Sequence, residues 1–339
     1  MKFSDGVDKS LLPKNILILN GRRKWETLVE FCVEYDINFK MFEVSEGDRV
    51  NVSEKLEPYI TFLPGEQYYN PQYYIDTLDF EPEYILNCRD DFSGTTLEYE
   101  LSMHYDSKTK FDERALKFFT SKKEQDRVCK LMNIPTLDEG SIDDKIIVKL
   151  DKGYGGGTHY EVVDKKDYIP KENDFIQRYI DYEYTIYHYS MGKFGDDNVV
   201  GNNIAYLYLY PWVDFPEEDI AIVEEFYRKL KDHITVKNRI LITEFSKERK
   251  TGKLHFQEFN PRPSGEFELG TFDWNIGKFN TLVDLFTNNV EDEIDYYQQR
   301  LEIYFDNVYN NRLFGWGTYD GLKIENLPYS RKIKTWNTK

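Results

Sequence analysis

Two neighbouring β-strand segments, joined by a short turn, constrain the fold of this chain more than any other feature. Residues 240–245 and 254–259 have the pattern of strands, and the KTGK turn at 250–253 predicts that they pair as an antiparallel hairpin. The second strand ends in the polar run QEFNPRP. Strand pairing then places Glu244 and Glu258 on neighbouring strands, with both side chains on the same side of the sheet.

The polar end of this hairpin carries groups that bind metals and phosphates. Asn260 shares a face with Glu258 because strand side chains alternate, so two carboxylates and an amide oxygen form a hard-oxygen site suited to Mg²⁺ bound with a triphosphate. Arg262 follows two positions later and could reach a phosphate with its forked donors. The alternative is a solvated strand face, since charged residues at period 2 are common on the exposed side of antiparallel sheets.

The first third of the chain has a different pattern. Residues 15–20 (NILILN) read as a buried strand, residues 25–35 as a helix and residues 38–44 as an alternating strand, which predicts a βαβ unit with a parallel sheet. The YILN segment at 84–87 is another strand, and residues 88–95 are expected to form a loop. The architecture is therefore expected to be α/β or α+β, with an antiparallel, β-rich portion later.

The middle of the chain combines helices with a glycine-rich hairpin. Helices are expected over 111–120 and 122–132, the second ending at the NIP turn because proline cannot continue it. Strands at 146–150 and 159–163 flank a glycine-rich loop, and strand–loop–strand order excludes a Walker A or Rossmann site. Glycines let a backbone approach phosphate, and Lys149 adds a charge. A mobile hairpin tip is the alternative.

Further strands are expected over 175–180, 184–189 and 204–210, followed by a helix over 221–231. An apolar strand with free backbone groups at its end, such as 175–180, can cradle adenine, and Glu183 could accept from ribose hydroxyls. The alternative is an edge strand without a ligand. The tail beyond Val290 is expected to begin as a helix.

Taken in chain order, these features resemble the ATP-grasp superfamily. Its members have a helix-initial lysine before an Ile-Pro or Leu-Pro turn, as at Lys122, and then a strand lysine with a glycine-rich loop, as at Lys149. A hinge strand with a ribose-binding glutamate follows, and then a Glu…Glu-x-Asn metal set, often written E-x-N-P-R. The match covers about residues 111–290, in the correct order.

The resemblance implies an α/β (α+β) ATP-grasp fold in which two α+β subdomains clasp ATP after an N-terminal βαβ pre-grasp domain. The implied divisions are a pre-grasp domain over 1–110, a subdomain with the flap over 111–182, a subdomain with the metal site over 183–290 and an extension over 291–339. It also implies site roles: Lys122, Lys149 and the flap glycines Gly153, Gly155, Gly156 and Gly157 on the ATP phosphates, Gln177, Tyr179 and Ile180 around adenine, Glu183 on the ribose, Glu244, Glu258 and Asn260 on the metal, and Arg262 with Lys149 in catalysis. Gln177 departs from many members, which carry glutamate there.

The activity implied by the resemblance is that of an ATP-dependent carboxylate–amine ligase. Such an enzyme converts a small-molecule carboxylate to an acyl phosphate, joins it to an amine and releases ADP and phosphate, with ATP and Mg²⁺ (or Mn²⁺) bound. A small-molecule kinase and a non-catalytic nucleotide-binding protein are the alternatives. The oligomeric state stays open, a homodimer being one arrangement among similar proteins.

Composition excludes other classes of protein. The chain has 339 residues with 44 Lys and Arg against 61 Asp and Glu, and its net charge of −17 argues against a nucleic-acid partner. Apolar runs are shorter than the ~20 residues of a membrane span, and no signal peptide is recognisable. Three separated cysteines form neither a disulfide framework nor a zinc cluster. We expect a cytoplasmic protein of two or three structural units.

Overall fold

In the part of the chain that it describes, the computed structural model has three β-sheets with helices packed against them. The structure describes residues 10, 12–19, 26–45, 56–87, 92–137, 145–152, 160–194, 202–210, 216–262 and 334–337. The flap glycines between 153 and 157 and the tail beyond 290, for which a helix was predicted, lie outside the described residues.

The first sheet is parallel. Its strands are β1 (Asn15–Leu19), β2 (Asn38–Val44), β3 (Ile60–Leu63) and β4 (Tyr84–Asn87), in the order β3-β2-β1-β4. Helix α1 (Glu26–Glu34) makes the crossover from β1 to β2. The predicted βαβ unit and the YILN strand are therefore confirmed, and the buried residues of β1 and β4 are those expected of a parallel sheet that is covered on its faces.

Helices α2 (Gly65–Tyr68), α3 (Pro71–Thr77) and α4 (Phe92–His104) complete the first unit. The loop predicted for 88–95 is wrong in its last part, because α4 begins at Phe92. The signal was hidden because polar residues of α4, such as Thr95, Glu98 and Ser102, are buried with its apolar ones. A helix that buries polar residues lacks the apolar stripe that marks a surface helix.

The second sheet has three antiparallel strands. They are β5 (Lys145–Leu150), β6 (Tyr160–Asp164) and β7 (Asp174–Arg178), in the order β6-β5-β7. The predicted strand–loop–strand hairpin is therefore confirmed. The strand predicted over 175–180 ends two residues earlier than expected. Strand β7 ends at Arg178, so Tyr179 and Ile180 follow it.

The third sheet has five antiparallel strands, in the order β11-β10-β8-β9-β12. They are β8 (Tyr182–Phe194), β9 (Asn202–Tyr210), β10 (Val236–Glu248), β11 (Leu254–Asn260) and β12 (Lys334–Asn337). Helices α5 (Glu113–Thr120), α6 (Lys122–Leu131) and α7 (Glu217–Leu230) share one hydrophobic core with β10 and β11. Phe118 and Phe226 both contact Phe259 in this core.

A β-bulge in β11 decides which side chains face this core. The pairing with β10 jumps from Glu258 to Phe256, which leaves Gln257 as an extra residue. A bulge of this kind shifts the alternation of side chains by one position. As a result, Phe256 and Phe259 both enter the core although they are three residues apart, while Glu258 and Asn260 share the opposite face.

Within the described residues, no helix is both long and apolar enough to cross a lipid bilayer.

Candidate functional site

The hairpin of β10 and β11 brings the two predicted metal-binding carboxylates together. The sequence predicts these two residues on neighbouring strands with their side chains on one side, and the structure confirms this by placing Glu244 directly opposite Glu258 in the antiparallel register. Asn260 follows on the same face, and its Nδ2 donates a hydrogen bond to Glu244 Oε1 over 3.2 Å. Two carboxylates in cross-strand contact repel each other, so this face favours a positive group.

Lys122 supplies that positive group in the structure. Its Nζ lies 3.6 Å from Glu258 Oε1, and the side chains of Lys122 and Glu258 are only 13% and 17% exposed. An ion pair that is largely shielded from water is screened less than a surface pair. The lysine that the resemblance assigns to phosphate therefore lies next to a carboxylate that the resemblance assigns to metal.

The end of β5 fixes the position of Lys122. Lys122 is the first residue of α6, and Ser121 caps the helix by accepting from the backbone N–H of Glu124 over 3.1 Å. Asp151, which follows β5, accepts from Ser121 Oγ and from the Lys123 N–H, both over 2.8 Å. A carboxylate at a helix N-terminus is stabilised by the unpaired amide groups and the helix dipole. The strand that carries Lys149 is thus joined to the helix that begins with Lys122.

Lys149 and Gln177 share a face of the three-stranded sheet. Lys149 pairs with Phe175 and Ile147 pairs with Gln177, and paired residues point to the same side. Gln177 is only 2% exposed, yet its Oε1 has no hydrogen-bond partner among the described residues. Buried acceptors are normally satisfied, so this oxygen is available to a donor such as an exocyclic amine.

The remaining predicted site residues are placed near the strand ends without a contact that assigns them a role. Tyr179 is 44% exposed and Ile180 is buried. Glu183 is exposed at the start of β8, and Arg262 is half-buried two residues after the end of β11. The structure therefore brings together Glu244, Glu258, Asn260 and Lys122, and the ribose and acyl-phosphate roles of the others stay predictions.

A buried ion pair ties the second sheet to the third. Arg178, at the end of β7, forms two hydrogen bonds with Glu248 of β10, of 2.5 Å and 3.0 Å. Glu248 also accepts from Thr251 Oγ1 over 2.6 Å. His255 lies beside them, with Nε2 3.4 Å from Glu248 Oε2, and burial lowers the pKa of this imidazole. The strand that carries Gln177 is fixed to the hairpin that carries Glu244.

Replacing Arg178 with Met should lower the free energy of unfolding by about 3 kcal/mol at neutral pH, because Glu248 would remain buried without its partner. Arg178 holds the pKa of Glu248 at about 2, below its ordinary value of 4.5. The stabilisation is therefore present above pH 4.5 and is lost as the pH falls toward 2. Denaturant unfolding of both proteins from pH 7 downward measures the difference, which should shrink with falling pH.

Arg249→Met is the matched control, because Arg249 pairs with Asp181 over 3.1 Å while both side chains are exposed. It should change the free energy of unfolding by less than about 1 kcal/mol. A loss in Arg178→Met that is equal at all pH values would contradict the role given to Glu248.

A second buried ion pair links the first unit to the end of β11. Arg239 of β10 bonds both carboxylate oxygens of Glu98 in α4, and both residues are at most 5% exposed. Arg239 Nε also donates to the carbonyl oxygen of Pro261 over 2.7 Å. The Arg239 guanidinium lies 4.6 Å from the Phe111 ring centroid. Arg239 therefore holds the peptide group that precedes Arg262, and Glu98 of the first unit balances the charge of Arg239.

Comparison with solved structures decides the fold. The chain superposes on biotin carboxylase from Campylobacter jejuni with a TM-score of 0.59 at 15% identity, covering 84% of this chain and 74% of that one. An L-amino acid ligase from Bacillus licheniformis matches with a TM-score of 0.55 at 13% identity, covering 81% and 74%. These are ATP-grasp proteins. The chain has the ATP-grasp fold.

A third structure with the same fold is N5-carboxyaminoimidazole synthetase from Staphylococcus aureus, with a TM-score of 0.54, 12% identity and coverage of 85% and 79%. No family model matches the sequence, and no curated protein matches it significantly. At sequence identities this low, the structural similarity shows the shared ATP-grasp fold and does not assign an activity to this chain.

The donor set on this face of the hairpin would fit Mg²⁺ that arrives with a nucleotide. Among the described residues no group of three His, Cys, Asp or Glu side chains is arranged to hold a metal ion by itself. Glu244 and Glu258 offer two carboxylates and Asn260 an amide oxygen. Mg²⁺ commonly takes one or two protein carboxylates and completes its octahedron with phosphate oxygens and water. An incomplete protein set of hard oxygen ligands is therefore what a nucleotide-borne Mg²⁺ needs.

Several residues that shape this site carry no signal in the sequence. Gln125, Arg178, Arg239 and Glu98 look like ordinary polar residues of helices and strands, and their partners are far away along the chain. Asp151 had a weak signal, because a carboxylate directly after a strand and an S-x-x-E capping pattern at Ser121 both mark a helix start. Only the tertiary structure shows that Asp151 contacts the helix start at Ser121.

Proposed function

We propose that this protein is an ATP-dependent ligase that activates a small-molecule carboxylate and joins it to an amine. The observation that carries the proposal is the cross-strand pair of Glu244 and Glu258, with Asn260 and Lys122 in contact with it. The similarity to an amino acid ligase and to biotin carboxylase supports ligase chemistry on this fold. The identities of the carboxylate and of the amine are not part of the proposal.

The proposed chemistry is an acyl-phosphate mechanism. An oxygen of the substrate carboxylate attacks the γ-phosphorus of ATP, and ADP leaves. The amine then attacks the acyl carbon, phosphate leaves, and the amine loses a proton as the amide forms. Phosphoryl transfer of this kind depends on positioning and charge neutralisation more than on covalent participation by the protein.

The chain's own residues would neutralise and orient the phosphates. Glu244, Glu258 and Asn260 would hold Mg²⁺, which when bound supplies positive charge to the phosphate oxygens. Lys122 and Lys149 would contact the phosphates directly, and Arg262 would stabilise the transferred phosphoryl group with its forked donors. The proposal is supported by the link through Asp151 between the start of α6, where Lys122 lies, and the end of β5, near Lys149.

The nucleoside would lie against the second sheet. The buried Oε1 of Gln177 offers an acceptor to the exocyclic amine of adenine, Tyr179 and Ile180 would line the base, and Glu183 would accept from the ribose. The glycine-rich loop with Gly153 and Gly157 would cover the phosphates and exclude water that hydrolyses an acyl phosphate. This loop lies outside the described residues, so its role comes from the sequence resemblance.

The purified protein, supplied with Mg-ATP, pooled amino acids and other small carboxylates, should release ADP and phosphate. In the presence of hydroxylamine it should form a hydroxamate, because hydroxylamine traps an acyl phosphate. ADP release without a hydroxamate would favour a small-molecule kinase with a hydroxyl acceptor. Formation of AMP and pyrophosphate would contradict the proposal, and absence of nucleotide binding would favour a protein without turnover.

A further inference from the structure

The side chain of Gln125 holds the backbone of a single residue in the candidate metal strand. Its Nε2 donates to the carbonyl oxygen of Phe259 over 2.9 Å, and its Oε1 accepts from the Phe259 N–H over 3.1 Å. Gln125 belongs to α6, 134 residues earlier, and is 3% exposed. Both ends of a buried amide are therefore bonded to one residue of β11.

This contact lies at an edge of the sheet. Of the described strands, only β10 neighbours β11, and the outer edge of β11 otherwise pairs with the backbone at an isolated bridge between Phe256 and Thr136. The bulge at Gln257 adds an unpaired residue next to Glu258. A strand that slips by one residue turns every side chain to the opposite face. Such a slip would remove Glu258 from Glu244.

Gln125 opposes that slip from the outer edge of β11. It bonds both outward-pointing backbone groups of Phe259 on one side of the bulge. On the other side, the Phe256 N–H donates to the Pro135 carbonyl oxygen over 2.8 Å. The Phe259 ring is stacked on Phe119 at 5.6 Å, with 6° between their planes. Phe259 is therefore fixed through its backbone and its side chain, and the residues on either side of it face the site.

The same helix also provides Lys122. Gln125 lies three residues after Lys122, and residues three apart are neighbours on one helix face. One face of α6 thus contacts Glu258 through Lys122 and the next residue of β11 through Gln125. The distance between the lysine and the paired carboxylates is consequently set by the same helix that sets the register of the strand.

We propose that Gln125 is a positioning residue that holds Glu258 and Asn260 in register to bind a divalent cation. This proposal rests on the proposed function, which assigns those two side chains to Mg²⁺. Gln125 itself would touch neither the cation nor the nucleotide, because it is buried and both ends of its amide are bonded to Phe259. Residues that orient metal ligands through hydrogen bonds change metal affinity by about 10–100-fold when they are replaced.

The test compares metal binding by the full chain and by Gln125→Met, which keeps the length of the side chain and removes the amide. Mn²⁺ binding is measured by electron paramagnetic resonance in the presence of a non-hydrolysable ATP analogue, and binding of the analogue is measured without metal. We expect Mn²⁺ affinity to fall about 10–100-fold, while metal-free binding of the analogue changes less than about twofold, because the amide is not a nucleotide contact.

Thr109→Val is the matched control. Thr109 Oγ1 donates to the Ile85 carbonyl oxygen over 2.9 Å and accepts from the Ile85 N–H over 3.0 Å, so it holds one residue of β4 in the same two-way manner. Among the described strands, β4 is likewise at the edge of its sheet. This variant loses an equivalent pair of hydrogen bonds and should bind Mn²⁺ as the unmodified protein does.

Equal Mn²⁺ affinity in Gln125→Met and Thr109→Val would overturn the positioning role. If Gln125→Met does not fold, Gln125→Asn provides the same comparison, because its amide is one methylene too short to reach both groups. Failure of the unmodified protein to bind Mn²⁺ and the analogue would instead contradict the proposed function. The two failures are therefore distinguishable.

Discussion

Glu258→Gln should lower the rate of ATP turnover by at least about 100-fold and should not lower the free energy of unfolding. The amide is a neutral and weaker ligand than the carboxylate, so the charge that holds the cation near the phosphates is halved at the cross-strand pair. Loss of one well-placed electrostatic contact in an active site commonly costs about 10²–10³-fold in rate. The carbon skeleton of the side chain is unchanged.

The stability part of this prediction follows from the register. Glu244 and Glu258 face each other across the hairpin, and their repulsion is opposed by the Lys122 contact at 3.6 Å. Removing one carboxylate relieves that repulsion while it removes the ion pair, so the two effects on stability oppose each other. A large loss of activity without loss of stability is expected at a site kept for function and not for folding.

ADP release and thermal unfolding measure the two parts of this prediction. Glu161→Gln is the control, because Glu161 is exposed on β6, away from the paired carboxylates in sequence and sheet. It should leave both quantities unchanged. ATP turnover by Glu258→Gln with an unchanged rate and unchanged Mg²⁺ dependence would contradict the enzymatic role.

Arg239→Met should produce the largest loss of stability, about 3–5 kcal/mol, because it leaves the Glu98 carboxylate buried without its positively charged partner. Glu98 is 1% exposed and bonded to Arg239 through both oxygens. The carbonyl oxygen of Pro261 would lose its donor as well. Denaturant unfolding measures this loss of stability. The ion pair that is removed connects α4 of the first unit to the residues just after β11, which include Arg262.

The loss should depend on pH. Burial raises the pKa of Glu98, whereas Arg239 and Asn87 lower it. Without Arg239 the pKa of Glu98 rises further, so its charged form is most destabilising at neutral pH. Because a carboxyl with a raised pKa in the folded state favours folding when it is protonated, the stability of the variant should recover as the pH is lowered.

Two further variants test whether the loss of stability comes from the burial of the Arg239–Glu98 pair, which an exposed ion pair lacks. Arg127 forms the same forked contact with Glu124, at 2.7 Å and 2.6 Å, but the Arg127 side chain is 58% exposed. Arg127→Met should therefore cost less than about 1 kcal/mol. The double variant Glu98→Leu with Arg239→Met should recover most of the loss, since two apolar side chains leave no buried charge. An Arg239→Met loss as small as that of Arg127→Met would contradict the buried pair.

Much of the fold could be predicted from the sequence because its signals are local. The βαβ unit follows from apolar runs separated by a helical period, and the glycine-rich hairpin follows from turn residues between short strands. The helix α4 was not predicted, because it buries Thr95, Glu98 and Ser102 with its apolar residues. A buried polar residue looks the same in a sequence as an exposed one.

Some features of the candidate site could likewise be predicted from the sequence, and others could not. The sequence predicts Glu244 and Glu258 on neighbouring strands of the hairpin with their side chains on one side, and the structure confirms this. The turn alone does not fix it: next to the turn Phe245 pairs with Phe256, and the bulge then brings Glu258 instead of Gln257 opposite Glu244. The bulge at Gln257 was not predictable, although it decides that Phe256 and Phe259 face the core together. The roles of Glu183 and Arg262 stay predictions.

The sequence by itself determined the order of the elements, the pairing of the β10–β11 hairpin and the residue types of the site, because these depend on interactions between near neighbours in the chain. Only the tertiary structure decided that Gln125 bonds Phe259, that Arg178 pairs with Glu248 and that Arg239 pairs with Glu98. Such contacts join residues 70 to 141 positions apart, so they form only after the sheets and helices have packed. No local pattern in the sequence indicates which buried arginine pairs with which buried glutamate.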